Sequence, residues 1–251
     1  MVRIMSHDVR CQDGVTLFLP PCSEDAKANI GEPDVYAEHI VAQYPIGTLA
    51  WFAGMGKKFR YSKAGTGMGG LTTLKVNGNR PPTSSTYADR DGFYGNVATA
   101  HAAGVTEVTF TDTVDRVKNY FEGAHMIIFD AARAVCYEQS YIISGPLAAT
   151  TDPWSTTVTL HKPKKYAILA NDGVEIWRNP YSNIIEHDNA VAETYYQTMM
   201  GVAMIPITSG YYFWLQTSGP CFITPNGWST LCPGYAANTR RVWVQQGGGI
   251  I

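Results

Sequence analysis

Six histidines are the side chains in this 251-residue sequence best suited to acid–base or metal chemistry. Two of them stand beside aspartates, in His7-Asp8 and His187-Asp188. Neighbouring residues in a strand point to opposite faces, so neither pair predicts a shared site. The sequence contains no His-x-His or His-x-x-x-His spacing, and it therefore gives no indication of a metal centre.

Other catalytic patterns are equally weak. Glu186 and Asp188 would share one face of a strand, as paired carboxylates of a glycosidase could, but no further catalytic group accompanies them. There is no Gly-x-Ser-x-Gly nucleophile turn. The glycine-rich stretch GTGMGG, Gly65 to Gly70, precedes the strand-like LTTLKV rather than a helix, which indicates a turn and not a dinucleotide site. We therefore predict that the chain is not an enzyme and uses no cofactor or metal.

Basic and aromatic side chains alternate in KKFRYSK, residues 57–63. Such alternation can line a channel for single-stranded nucleic acid, but it is also what a half-exposed strand produces. The net charge of the chain is −2. This balance predicts neither a nucleic-acid partner nor an acidic membrane partner, and no run of about 18 apolar residues predicts a membrane helix.

The elements that must position these residues are predicted to be strands. Hydrophobic residues make up 45% of the chain and charged residues 16%, with 24 glycines and 14 prolines. Short strand-like windows recur after Gly47 at spacings of about 8–15 residues, a pattern typical of antiparallel sandwiches and barrels. The predicted fold is all-β, an antiparallel barrel or jelly-roll-like sandwich with an extended N-terminal arm and at most short helices.

Three segments are expected along the chain. Residues 1–46 form the arm, with a short helix possible at Glu32 to Tyr44, where Pro33 suits a first helical turn. Residues 47–92 carry strands, a loop and the motif YSKAG, and residues 93–251 form the main β domain and a C-terminal tail. The arm is too irregular to build a core of its own, so we expect it to lie across a neighbouring subunit or a partner surface.

The five cysteines are odd in number and lack a Cys-x-x-Cys pair. This argues against a disulfide framework and a zinc ribbon, although Cys11–Cys22 and Cys221–Cys232 share a spacing of eleven. Buried free thiols, made in a reducing cell, are the favoured interpretation.

An aromatic run stands at GYYFWLQTSG, residues 210–219. In a strand, Tyr211 and Phe213 would face one way, and Tyr212, Trp214 and Gln216 the other. One face could fill the protein interior while the second meets a neighbouring subunit, or both faces could be buried between two sheets. The candidate interface residues are Phe59, Tyr61, Lys63, Tyr211, Tyr212, Phe213, Trp214 and Gln216.

Several stretches resemble, in order, the capsid decoration (cement) proteins of tailed bacteriophages. They are GTLAWFAGMGKKF with YSKAG, GFYGNVATAHAAGVTEVTF, FEGAHMIIFDAARAVCYEQSYIISG, TTVTLHKP, IWRNPYSNII and GVAMIPITSGYYFWLQTSGPCFI. The resemblance covers roughly Gly47 to Ile223. Phe213 departs from it, because the family usually has Gly before the Trp, and neither the arm nor the tail after Thr224 has a counterpart.

The resemblance implies a structural virion protein on the capsid surface, made in the host cytoplasm. It also implies that the protein binds the major capsid protein, commonly forms trimers and has no active site. An alternative is a phage tail or fibre adhesin, since aromatic side chains beside Asn and Gln could bind cell-surface glycan. The third possibility is a glycan-processing enzyme or an esterase on a β scaffold, for which the carboxylate pair is the sole support.

Overall fold

A computed structural model describes residues 8–12, 14–22, 30–65, 67–69, 74–77, 92–112, 119–145, 155–186 and 198–221. The described part contains fifteen strands and one short helix. The strands are β1 (Asp8–Gln12), β2 (Val15–Leu19), β3 (Glu38–His39), β4 (Leu49–Phe52), β5 (Lys57–Lys63), β6 (Leu74–Asn77), β7 (Gly92–Asn96), β8 (Glu107–Phe110), β9 (His125–Phe129), β10 (Cys136–Ser144), β11 (Thr156–Leu160), β12 (Gly173–Trp177), β13 (Ile184–Glu186), β14 (Thr198–Ala203) and β15 (Tyr212–Ser218). The helix is a 3-10 turn at Ala53–Met55. The all-β prediction is confirmed, and the paired strands run antiparallel.

The chain divides into two compact units. One comprises Met1–Asp8, Leu19–Ile30 and Arg80–Asn179, and the other comprises Val9–Phe18, Gly31–Asn79 and Pro180–Ile251. We call them the six-stranded unit and the nine-stranded unit, after their sheets. This division differs from the predicted boundary after residue 92. The late strands β13, β14 and β15 lie in the same sheet as the early strands β5 and β6.

The six-stranded unit is a curled sheet with the strand order β7-β12-β9-β10-β11-β8. Its two outer strands approach each other at the bridge between Val97 and Phe110, where the Thr111 N–H donates to the Asn96 carbonyl at 3.0 Å. Alternating residues of the strands fill the interior, as in β11 and β9, where every second side chain is buried. Large side chains including Phe110, Phe121 and Ile128 form a continuous core inside the curl.

The nine-stranded unit has the strand order β1-β2-β4-β5-β15-β14-β6-β13, with β3 paired to β15 as well. Strands β5 and β15 are its long central pair. On one face, a core cluster gathers Ala64, Met68, Ile207, Phe213 and Leu215. The opposite face of the same two strands carries the largest buried aromatic side chains of the unit.

The predicted N-terminal arm is corrected in part. Residues 8–19 form β1 and β2, and β2 pairs with β4 from Val15 opposite Phe52 to Phe18 opposite Leu49. Alternation in VTLFL buries Val15, Leu17 and Leu19, so this segment belongs to a core instead of lying across a partner. Residues 1–7 and 23–29 lie outside the described residues.

The predicted helix at Glu32 to Tyr44 is also wrong. This stretch is a series of turns with the two-residue strand β3. The Asp34 carboxylate accepts the Tyr36 N–H at 2.9 Å, a local bond that favours a turn over a helix. Pairing of Glu38 and His39 with β15 then holds the backbone extended.

Candidate interaction surface

Four aromatic rings cluster on one face of β5 and β15. Tyr61 lies opposite Trp214 in register, and their ring centroids are 5.0 Å apart in an edge-to-face arrangement. Tyr44, from the loop before β4, meets Tyr61 at 5.0 Å and Trp214 at 4.9 Å. Tyr212 stacks on Tyr61 at 6.0 Å. Contacts of this kind stabilise a fold beyond the area they bury, so the cluster is a structural anchor for the loop that carries Tyr44.

Hydrogen bonds complete this anchor. The Gln43 N–H donates to the Tyr61 hydroxyl oxygen at 3.0 Å, and the Tyr44 hydroxyl donates to the Gly31 carbonyl at 3.0 Å. Burial raises the pKa of Tyr44 to about 12, and burial also raises the pKa of Tyr61. Both hydroxyls therefore stay protonated at neutral pH, as a structural role requires.

The structure corrects the interface prediction for most of the candidate residues. Five of the eight are buried within the nine-stranded unit, and these are Phe59, Tyr61, Phe213, Trp214 and Gln216. Both edges of β15 are paired, with β5 on one side and β14 and β3 on the other. The faces around residues 213–216 are covered as well, because Tyr44 packs on Trp214 while Phe213 and Leu215 lie in the core cluster. A buried side chain offers no surface to a second molecule, so these residues hold the unit together.

The other three candidates are partly exposed. Tyr211 packs against the core cluster that contains Phe213, while Tyr212 lies on the opposite face beside Tyr61. The prediction that successive side chains of this strand point to opposite faces is thus confirmed. Lys63 holds its ammonium 5.2 Å from the centroid of the Tyr212 ring.

Burial also removes the reason for expecting a glycan site in the aromatic run. Phe213, Trp214 and Gln216 cannot stack on or hydrogen-bond to a sugar from inside the core. The Gln216 amide is engaged instead with the turn that follows β15. Its Nε2 donates to the carbonyl oxygens of Ser218, Gly219 and Pro220 at 3.3, 3.2 and 2.9 Å.

A different surface of the nine-stranded unit does expose large apolar side chains. Tyr36, Ile40 and Val41 are 64%, 72% and 66% exposed, all within one six-residue stretch around β3. Isolated exposed apolar residues are common, but three together on a fixed backbone are typical of contact surfaces. We call this stretch, together with the exposed acids Glu32 and Asp34, the β3 surface.

The backbone of the β3 surface is held from several sides. The Glu38 carboxylate accepts the Thr208 N–H at 2.6 Å and the Thr208 hydroxyl at 2.8 Å. His39 pairs with Tyr212 in the sheet, and Tyr44 is locked into the aromatic cluster. The exposed side chains therefore project from an ordered support. The sequence contained a signal that could have predicted this surface, since Asp34 is a turn former directly before the apolar residues.

The turn between β4 and β5 forms a second exposed apolar surface in the same unit. Trp51 is 39% exposed and Met55 is 56% exposed. Trp51 lies opposite the exposed Lys58 in the sheet register, so these two side chains share a face, whereas Lys57, opposite Phe52, points to the other face. We call Trp51, Met55 and Lys58 the β4–β5 surface. Lys58 belongs to the basic run 57–63 noted in the sequence and lies near the start of β5.

In the six-stranded unit, a buried basic cluster lies near β8. His101 accepts the Thr109 N–H on its Nε2 at 2.9 Å, so that nitrogen carries no proton. Burial lowers the pKa of His101, and the neighbouring Lys164 lowers it further. Lys164 is itself buried, with its Nζ donating to the Glu107 carbonyl, and burial lowers its pKa too. No sequence pattern had indicated these two residues.

Within the described ranges, the residues considered for chemistry are not gathered into a centre. Among the described residues there is no group of three or more His, Cys, Asp or Glu that could hold a metal ion. His7, His187 and Asp188 lie outside the described residues. In the GTGMGG stretch, Met68 pairs with Ile207 and is buried, so part of this turn is a core element.

The described cysteines agree with the prediction only in part. Cys22 is buried, as expected, whereas Cys11, Cys136 and Cys221 are free and exposed. Neither spacing of eleven residues is bridged, because Cys11 and Cys221 are both reduced.

Searches for relatives returned nothing. No family model, no curated protein and no solved structure matches this chain. In the described portion, no helix has the length and apolar character needed to cross a membrane.

Proposed function

We propose that this chain is a structural virion protein that decorates the outside of a tailed-bacteriophage capsid by binding the major capsid protein. Its place would be the capsid surface, after synthesis in the host cytoplasm. The proposal makes the protein a binding module rather than an enzyme, and it assigns no cofactor. It also includes assembly of the chain into a homo-oligomer, a trimer by resemblance.

The observation that carries this proposal is the presence of large apolar side chains that stay exposed on ordered backbone. The β3 surface and the β4–β5 surface are two examples in the nine-stranded unit. The six-stranded unit exposes Val135, Tyr166 and Leu169 in loops beside its strands. Rigid loops that present apolar groups lose little conformational freedom on binding, which suits a protein that has to cover another surface.

The buried residues support the same conclusion. The core aromatic cluster, the Gln216 amide and the His101–Lys164 cluster are all engaged in holding strands and turns together. A protein that stabilises a shell needs units that are already ordered, because such units lose little conformational entropy on binding. The resemblance from Gly47 to Ile223 then selects a capsid surface among the possible partners.

The test is cosedimentation of purified protein with mature shells assembled from the major capsid protein encoded in the same genome. We expect saturable binding with a fixed number of copies for each shell, together with a higher melting temperature of the decorated shell. Two double variants identify which unit binds the shell. Tyr166→Ser/Leu169→Ser removes exposed apolar side chains of the six-stranded unit, and Ile40→Ser/Val41→Ser removes those of the nine-stranded unit. Absence of binding to such shells would overturn the proposal, and specific retention on a glycan array would favour the adhesin.

A further inference from the structure

We propose that the β3 surface of one copy binds the β4–β5 surface of another copy, so that the chain associates head to tail. The inference concerns contacts between copies and does not depend on capsid binding. It rests on two exposed apolar surfaces of the nine-stranded unit that differ in charge and in position.

The β3 surface is apolar with an acidic rim. Tyr36, Ile40 and Val41 form its exposed apolar part, and the exposed carboxylates of Glu32 and Asp34 lie a few residues before them. Glu38 is not available to a partner, because both of its oxygens accept hydrogen bonds from Thr208.

Lysine occurs at this end of the sheet as well. The ammonium of Lys63, which lies opposite Tyr212 in register, sits over the Tyr212 ring. Strand β15 separates Lys63 from the β3 surface, because Lys63 and His39 pair with Tyr212 from opposite sides. The acids Glu32 and Asp34 therefore set the charge that the β3 loop offers to a partner.

The β4–β5 surface is apolar with a basic rim. Trp51 and Met55 are exposed, and the exposed Lys58 lies opposite Trp51 on the same face. No acidic residue occurs from Trp51 to Lys58. An apolar centre with a lysine on one surface and an apolar centre with carboxylates on the other are complementary in charge, which favours this pairing over contact between two like surfaces.

The positions of the two surfaces make the contact head to tail. Tyr212 of β15 pairs with His39 in the β3 surface, and Ser218 of the same strand pairs with Lys58 in the β4–β5 surface. Six residues of strand separate these points, a distance of about 20 Å. A single contact between these unlike surfaces leaves one surface free at each end, so copies joined in the same sense continue in series, into a closed ring or an open chain.

Mixing two variants tests this arrangement without any capsid. Ile40→Ser/Val41→Ser removes the apolar part of the β3 surface, and Trp51→Ser/Met55→Ser removes that of the β4–β5 surface. Each variant alone should sediment as a monomer. An equimolar mixture should form a complex of two chains and nothing larger, because each variant keeps one intact surface. Tyr166→Ser/Leu169→Ser, in the six-stranded unit, is the matched control and should assemble like the wild type.

Charge reversal provides a second test that leaves the apolar residues in place. Glu32→Lys and Lys58→Glu should each weaken self-association by about two- to fivefold, in the range of exposed ion pairs, and added salt should reduce the effect. The two changes combined in one chain should restore most of the affinity. Both side chains are exposed, so neither change disturbs a core.

Three results would overturn the inference. They are a wild-type chain that stays monomeric at high micromolar concentration, an oligomer that survives loss of either surface, and a variant mixture that forms no two-chain complex. Shell binding is measured separately, so a protein that binds shells as a monomer would refute this inference and the proposed homo-oligomer, and would leave the proposed capsid binding intact.

Discussion

Tyr61 and Trp214 lie opposite each other in register on the two central strands of the nine-stranded unit, and their rings meet edge to face with centroids 5.0 Å apart. Tyr44 closes a triangle with both rings. This relationship joins the sheet to the loop that leads from the β3 surface. The β3 surface, which we propose binds another copy, is therefore ordered by contacts with the core.

Trp214→Ala should lower the free energy of unfolding by about 3–5 kcal/mol, since it leaves a cavity where a buried indole met two rings. The chain offers a matched control in Trp51, which is exposed at the sheet end. Trp51→Ala should change the unfolding free energy by less than about 1 kcal/mol. Urea denaturation at low protein concentration measures both. Equal losses in the two variants would contradict the placement of Trp214 in the core.

Gln216 should tolerate an apolar replacement better than an acidic one. Its Nε2 donates toward three carbonyl oxygens, so Gln216→Glu would place a carboxylate against acceptors inside the core. Gln216→Met loses the hydrogen bonds but buries no charge, and should cost about 1–3 kcal/mol. Gln216→Glu should cost more at neutral pH and should recover stability as the pH falls, because the buried carboxyl has a raised pKa and donates again once protonated. Thermal melts from pH 7 to pH 4 measure the stability of both variants. A Gln216→Glu variant more stable than Gln216→Met at neutral pH would contradict the hydrogen bonds described for the amide.

Gly201→Ala should be strongly destabilising. Gly201 has a φ of +152° at the irregularity in β14, and a Cβ added there would collide with the Gln216 carbonyl oxygen. Relieving this collision requires movement of β14 away from β15, which we expect to cost more than about 2 kcal/mol. Gly54→Ala is the control, since a Cβ at Gly54 meets nothing within 4 Å. Similar melting temperatures for the two variants would refute the close approach of the strands.

The stability of the six-stranded unit should fall with pH below about 6.5. The pKa of His101 is lowered in the folded state, so the unfolded chain takes up a proton first as the pH falls. The contribution of His101 is fully present above its unfolded pKa and is lost as the pH drops through the folded pKa. His125, whose pKa is also lowered by burial, acts in the same direction.

His101→Gln keeps an acceptor for the Thr109 N–H and removes the titration. The variant should show a shallower loss of unfolding free energy from pH 6.5 to pH 5 than the wild type. The comparison cancels Glu122, whose buried carboxyl has a raised pKa and opposes this trend equally in both proteins. Parallel pH profiles would exclude His101 as a contributor.

The sequence alone was enough to predict the all-β fold and the facing of residues 211–216. Both depend on local chemistry, since strand residues alternate between faces and glycine and proline interrupt them. Turn chemistry at Asp34 is also local, whereas the possible helix from Glu32 to Tyr44 rested on Pro33. Pairing of Glu38 and His39 with β15 keeps this backbone extended, and no local sequence pattern predicts that pairing.

Only the tertiary structure decided which aromatic residues are available to a partner. Tyr61 alternates with polar residues just as in a half-exposed strand, and Trp214 lies in an aromatic run, but both side chains are buried against Tyr44. Ile40 and Met55 stay exposed because they lie in turns at the ends of strands in that sheet. The packing of the Tyr44 loop and of the core cluster on the two faces of β5 and β15 joins residues far apart in the chain, so burial here follows from tertiary contacts and not from composition.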